Sequence, residues 1–227
     1  MTEYSERTVR LVGEAAFAQL RQAHVLVLGL GGVGGAAAVM LARAGVGRLT
    51  LIDGDTVEPS NLNRQRVASR STLGMRKTDS LAAILRDIDP EIGLELVPRF
   101  LTPEDAGSVL ETDVDFAVDA IDDVPAKVAF LLAAKARGVP LVSAMGAGGR
   151  LDPSQVCECD ISRTCQCGLA RAVRARLREA GVTRGIRVVF SPEPPVKCDG
   201  APGTISYMPN IFGGFCAAAA IRHLLKK

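Results

Sequence analysis

The sequence predicts an α/β fold: a Rossmann-like, doubly wound and mainly parallel sheet with a C-terminal α+β elaboration. Three observations carry that prediction. Val25–Leu28 and Leu49–Ile52 are unbroken apolar runs bounded by turn residues, the pattern of strands buried on both faces of a parallel sheet. Runs of this kind alternate with helix-forming stretches as far as Arg150, which gives strands joined by crossover helices. Past Arg150 the chain becomes rich in cysteine, then in arginine. A single domain over residues 1–227 is expected, with its core at 1–150 and the elaboration at 151–227.

The elements follow in order. Val9, Leu11, Val12, Ala16, Phe17 and Leu20 recur at helical spacing, so residues 5–22 read as one or two short helices. After the first strand, Gly29, Gly31 and Gly34 satisfy G-x-G-x-x-G, with Gly32 as an extra glycine. The first glycine allows a tight turn, the second admits a phosphate to the backbone, and the third packs helix on strand. Ala36–Ala44 is the helix, stopped by Gly45 and Gly47. The second strand ends in Asp53, an acid placed to accept hydrogen bonds from a ribose. Strand, glycines, helix, strand and acid in that order predict a nucleotide site in the 1–150 core.

Residues 56–74 are irregular, a length of loop that is usually functional or broken by helical turns. A helix is expected at Met75–Ile88, a strand at Leu94–Val97 and a short helix opened by Pro103. Asp115–Ala120 reads as a strand, Pro125–Ala136 as a helix closed by Gly138, and Pro140–Ala144 as a strand before the Gly146–Gly149 turn. Beyond it come a helix at Leu169–Ala180 and a strand at Ile186–Phe190. Ser191–Gly203 is a loop that is a candidate for disorder. Thr204–Met208 alternates like a strand, and Ile211–Leu225 forms the last helix.

With 48% hydrophobic and 23% charged residues the composition is that of a soluble globular domain. Tryptophan is absent and aromatics make up 4%, so alanine, valine and leucine must fill the interior. A net charge of +2 does not by itself imply a polyanionic partner. MTEYSERTVR lacks the apolar core of a signal peptide, and Ile211–Ile221 is too short to span a bilayer. A cytoplasmic location with no membrane partner is expected.

The irregular loop decides which nucleotide is bound. It carries Asn61, Arg64 and Gln65, with Asp55 just before it and Lys77 just inside the next helix. Hydride transfer has no use for such a cluster, whereas cleaving ATP requires cations against the charge growing on its phosphates. Mg²⁺ needs one or two carboxylates besides the phosphates and water. Asp119, Asp122 and Asp123 stand at the carboxyl end of a strand, where open α/β sheets bind ligands. Each residue also has a plainer reading: Arg64 and Lys77 as solvated charges, Asp122 as a helix cap before Pro125.

GLGGVG, LIDGDTVEPSNLNRQ, GMRK and DAIDD together resemble the E1-like ATP-dependent adenylating superfamily of ThiF and MoeB, from Tyr4 to Gly149. The resemblance implies attack of a carboxylate on the α-phosphate of ATP, giving an acyl-adenylate and pyrophosphate. It implies Gly29, Gly31, Gly32, Gly34, Asp53 and Asp55 around the nucleotide, with Asp53 on the ribose. Asn61, Arg64 and Lys77 would contact the phosphates, Gln65 would support their loop, and Asp122 would bind Mg²⁺. Arg7 matches an arginine that such enzymes insert into the partner subunit's site, which implies a homodimer. A flexible terminal charge is the alternative for Arg7.

SAMGAGGRLDPSQ, DISRT, GLAR and GTISYMPNIFGGF resemble one branch of that superfamily. Its members activate the threonylcarbamoyl carboxylate on N6 of adenosine 37 in tRNA, and ring closure then expels AMP with net loss of water. Two rivals stay open: adenylation of a ubiquitin-like sulfur carrier, and an ATP-binding scaffold without turnover. A sulfurtransferase-type partner and a supporting monovalent cation are also left open.

An arginine-rich helix suits a nucleic-acid substrate. Arg171, Arg174 and Arg178 share one face at i, i+3 and i+7, while Leu169, Val173 and Leu177 line another; Arg163 lies just upstream. A cationic front of this kind binds phosphates, although a solvated amphipathic helix has the same pattern. Cys157, Cys159, Cys165 and Cys167 form C-x-C-x₅-C-x-C. Zinc and a redox or sulfur-handling role are alternatives there, but C-x-C strains the chelate loop and free thiols are the favoured reading.

Overall fold

The computed structural model describes residues 3–110, 113–200 and 202–226. Seven strands form one sheet in the order β3-β2-β1-β4-β5-β7-β6. They are β1 (His24–Leu28), β2 (Arg48–Ile52), β3 (Gly93–Val97), β4 (Phe116–Asp119), β5 (Leu141–Ala144), β6 (Cys157–Asp160) and β7 (Arg187–Phe190). All neighbouring pairs are parallel except the edge pair, where β6 runs antiparallel to β7. The helices are α1 (Glu6–Val12), α2 (Glu14–Gln22), α3 (Gly32–Ala44), α4 (Lys77–Ile88), α5 (Val124–Arg137), α6 (Gly168–Glu179) and α7 (Tyr207–Leu224).

The apolar runs form buried strands because both faces of the sheet are covered. Val25 and Val27 point into a core shared with α3, α4 and α7. Leu26 and Leu28, alternating with them, enter a second core with α5 and α6. Burying a leucine or valine fully contributes roughly 1.5–3 kcal/mol, so most positions of a strand covered on two sides are apolar, and the buried polar ones, such as Thr50, Asp119 and Ser143, are hydrogen-bonded. β7, from beyond residue 150, pairs with β5 in this same sheet. No helix among the described residues is long and apolar enough to cross a membrane.

Four local expectations differ from the structure. Helix α3 begins at Gly32 rather than Ala36, because its glycines allow close approach: Gly32 meets Pro209 of α7, and Gly34 and Gly35 are buried against the Gly29 and Leu30 carbonyls. Pro103 opens no α-helix: Asp105 accepts the Thr102 N–H (2.8 Å) and its carbonyl takes the Ser108 hydroxyl (2.9 Å), local bonds that compete with the helical ladder. Only a 3₁₀ turn follows, at Ser108–Leu110. Residues 204–208 form no strand, since α7 starts at Tyr207. Pro209 sits within its first turn, where a missing N–H costs nothing, and buried Met208 joins the α3 core.

The Ser191–Gly203 loop is tied down rather than loose. The Val196 N–H reaches the Gly149 carbonyl and the Gly149 N–H the Gly203 carbonyl, both at 2.7 Å. The Glu193 carboxylate accepts the Leu151 and Asp152 N–H groups. Ala201 lies outside the described residues.

Candidate nucleotide-binding and adenylation site

Strand register assembles the site. Leu28 stands opposite both Ile52 and Asp119, so Gly29, Asp53 and the 120–123 loop leave the sheet side by side. Gly29 has φ +78°, and a side chain there would meet the Ala120 carbonyl at 2.8 Å. At Gly34 an added Cβ would lie 1.8 Å from the Gly29 carbonyl, so only glycine lets α3 descend onto the strand. Gly31 is the N-cap of α3 and supplies no side-chain cap. The first-turn N–H groups, beginning at Gly32, are left for an anion, and the helix dipole favours it.

Asp53 links the glycine turn to the exit of β2: its carboxylate accepts the Leu30 N–H at 2.6 Å and the Asp55 N–H at 2.8 Å. Asp55 accepts a charge-assisted bond from Lys77 Nζ at 2.6 Å. Lys77 itself is buried, its ammonium held at the N-terminus of α4. Buried Asn61 spends its polar atoms inside the loop, accepting the Glu58 N–H (3.1 Å) and donating to the Ser60 hydroxyl (3.2 Å). Its local role is to cap the turn at Pro59–Asn61. The Arg64 guanidinium donates one nitrogen to the Ser60 carbonyl (2.9 Å) and Asn63 Oδ1 (2.8 Å), which leaves its other N–H groups for a ligand. Gln65 lies beside Gly31, and its buried Oε1 has no partner among the described residues. A buried polar atom of this kind is what a ligand or a water satisfies.

The three acids at the carboxyl end of β4 separate into three jobs. Asp119 is fully buried and bonds Lys127 Nζ (2.9 Å) and the Ser143 hydroxyl (2.7 Å). Lys127 also donates to the Ile121 carbonyl at 2.8 Å, which ties the loop to α5. The cap of α5 is Asp123, accepting the Ala126 N–H at 2.9 Å. That overturns the plain reading of Asp122 as the cap and leaves Asp122 exposed at the rim. A solvent-facing carboxylate beside the phosphate region fits what Mg²⁺ requires, since the ion keeps most of its water.

One contributor is not singled out by the sequence, although it lies within GTISYMPNIFGGF. Asn210, in the first turns of α7, donates to the Arg64 carbonyl at 3.0 Å and to the Ser206 carbonyl at 2.7 Å. Arg66 Nε donates back to Asn210 Oδ1 at 2.9 Å, and Asn63 Nδ2 reaches the Thr204 carbonyl at 2.9 Å. The loop bearing Arg64 is thus clamped by a segment 140 residues later in the chain, a pairing that no local motif announces.

Other predicted residues lie apart from the rim. Arg7 is exposed on α1. Val173 and Leu177 are buried under α6 and Leu169 packs against the same core, while Arg163, Arg171 and Arg178 are exposed. Arg174 departs from a free cationic front: it is half-buried and donates to the Thr164 carbonyl at 2.8 Å. Cys157 and Cys159 share one face of β6, and Cys167 caps α6. Burial raises the Cys157 thiol and, with Cys157 beside it, pushes Cys159 to about 11, so both are protonated at neutral pH. Among the described residues no three His, Cys, Asp or Glu side chains group as a metal-ligand set. A cavity of about 290 Å³ lined by Phe116, Lys135, Arg187 and His223 lies at the amino ends of the strands, opposite the glycine turn.

The ThiF family model matches residues 4–227. The chain belongs to the ThiF family. Within it, a tRNA threonylcarbamoyladenosine dehydratase of Bacillus subtilis is 33% identical, covering 100% of this chain and 96% of that protein. The Escherichia coli protein of the same name is 39% identical over 82% of this chain and 72% of its own length. The E. coli dehydratase crystal structure, 35% identical, superposes with a TM-score of 0.96 over 99% of this chain and 94% of that one. A structure of that enzyme in complex with ATP gives 0.95. As a ThiF-family chain with full-length counterparts, the protein shares its fold with those dehydratases over nearly its whole length.

Proposed function

We infer that this protein is an ATP-dependent tRNA threonylcarbamoyladenosine dehydratase that works through an acyl-adenylate. The observation that carries the reading is the rim itself, where register brings Gly29, Asp53 and the Asp122 loop together on a chain matched end to end by dehydratases. ATP would lie over the glycine turn, with its ribose at Asp53 and its phosphates toward the α3 N-terminus, Asn61, Arg64 and Lys77. Gln65 would support that loop, and Asp55 would keep Lys77 in place. Asp122 would hold Mg²⁺, which supplies charge neutralisation on the phosphates. The substrate carboxylate oxygen attacks the α-phosphorus and the bond to pyrophosphate breaks. Ring closure at the activated carbonyl then expels AMP, for a net loss of water. A good leaving group makes a reactive cysteine unnecessary, in keeping with the protonated thiols of β6.

The tRNA would lie along α6, its phosphates meeting Arg163, Arg171, Arg174 and Arg178. Arg7 would enter the site of a second copy, which makes the working unit a homodimer in the cytoplasm. ATP–pyrophosphate exchange tests the reading with three additions: threonylcarbamoylated tRNA, a ubiquitin-like sulfur carrier, or nothing. Exchange stimulated by the tRNA is expected. Stimulation by the carrier alone would overturn the assignment in favour of sulfur-carrier activation.

A further inference from the structure

We propose that α6 and the loop after it form a seat for one phosphodiester of the substrate RNA, with Arg174 and Arg178 as its paired anion ligands. The proposal rests on the tRNA substrate inferred above. A cavity of about 90 Å³ opens here, with Arg174, Arg178, Ser162 and Thr183 in its wall and Ile161 and Leu177 beneath. Leu177 is 1% and Ile161 2% exposed, so the floor is apolar, while Ser162, Arg178 and Thr183 in the wall face solvent.

Arg174 is ordered before anything binds, because one guanidinium nitrogen is held by the Thr164 carbonyl and hydroxyl. Its ordering entropy is therefore spent in the free protein, and its remaining donors are available to an oxyanion. Arg178 follows one turn later on the same face. A phosphodiester offers two non-bridging oxygens and one charge, which a guanidinium pair with neighbouring hydroxyls can match.

Two acids flank the seat. Asp160 is spent on its own neighbours, accepting the Ser162 N–H (2.9 Å) and hydroxyl (2.6 Å) and the Gly185 N–H (2.6 Å). Burial raises its carboxyl, but those bonds outweigh burial and hold it below the usual range. Glu179 is exposed at the end of α6. The helix is capped by Cys167, whose sulfur lies 3.5 Å from where Gly146 would carry a side chain, just past the carboxyl end of β5. At 1.5 Å per residue the seat lies roughly 10–16 Å along α6 from there.

The salt dependence of tRNA binding separates a shared seat from scattered charges. Each phosphate released lowers the slope of log K against log salt by about one. Arg178→Gln alone should lower it by about one, and Arg174→Gln with Arg178→Gln should lower it no further. Arg171→Gln added to that pair should subtract another unit. Thr183→Glu places a carboxylate in the cavity without altering either arginine, and should weaken binding as much as Arg178→Gln does. Phosphate-ethylation interference should find one position that weakens binding to the wild-type protein but not to the Arg178→Gln protein. Thermal unfolding of each variant screens for misfolding, and Arg178→Gln with Thr183→Glu carries the test if Arg174→Gln unfolds. A steep wild-type slope left unchanged by Arg178→Gln and Thr183→Glu, or an additive loss of two units, sinks the seat and leaves the tRNA reading standing. A wild-type slope near zero sinks the tRNA reading itself.

Discussion

Asp119, Asp122 and Asp123 are the same residue type within five positions, yet burial and hydrogen bonding give each a different task. Asp119 is closed in with Lys127, Asp123 is exposed but spent on the α5 cap, and Asp122 is exposed and does not cap α5. Asp122→Ala should therefore abolish ATP–pyrophosphate exchange while its thermal midpoint stays at the wild-type value. Asp123→Ala should cost about 1 kcal/mol in a denaturant titration through the lost cap. A second residue-scale prediction concerns Asp89, whose buried carboxylate accepts from the Tyr4 hydroxyl (2.9 Å) and the Arg21 guanidinium. Burial alone would raise its pKa, but Arg21, Tyr4 and the Glu91 N–H outweigh burial and hold it below its ordinary value. The folded state thus favours the charged form, and the stabilisation is complete above the unfolded value of 3.8 and lost as pH falls through the folded one. Asp89→Asn should be less stable than wild type by about 2 kcal/mol near pH 7. The two unfolding curves should converge in strong acid, and a pH-independent gap would contradict the linkage.

At the scale of elements, α6 and α7 carry the functional additions to the sheet. Helix α6 packs on Val173 and Leu177 and presents arginines outward, one of them already bonded to Thr164. Replacing Arg171, Arg174 and Arg178 together should reduce the salt slope of tRNA binding by about two, one phosphate for Arg171 and one for the pair. Helix α7 reaches the opposite side of the rim, where Asn210 holds the backbone of the Arg64 loop. Asn210→Ala frees that carbonyl and should lower kcat/KM for ATP roughly tenfold, the effect of about 1.4 kcal/mol. The loss should appear mainly in kcat if the loop acts in the transition state, and Asn210→Ser should recover part of it.

The molecule as a whole is two cores on either side of one sheet, with its site on the rim where the strands end. Arg7 lies on α1, exposed, and acts only if a second copy offers its rim. Mixing Arg7→Ala with Asp122→Ala protein should therefore restore activity that neither has alone. Random reassortment yields about a quarter of wild-type turnover, since half the dimers are mixed and each then has one intact site. No recovery on mixing would place Arg7 outside the reaction.

Much of this architecture was legible in the chain. Val25–Leu28, the glycines and Asp53 lie in one contiguous strand–turn–helix–strand unit, so local sequence determines the turn and the acid that accepts the Leu30 N–H beside it. The same holds for α6, whose apolar stripe and arginine face follow from helical period alone. What the chain could not determine depends on partners far away in sequence. Which acid after β4 caps α5, that Arg174 is committed to Thr164, that α7 begins at Tyr207, and that Asn210 grips the Arg64 loop are all outcomes of packing. Periodicity reports which face of an element is buried. Only the folded sheet decides what each buried face meets, because hydrogen bonds and close contacts between distant segments exist only once the segments are brought together.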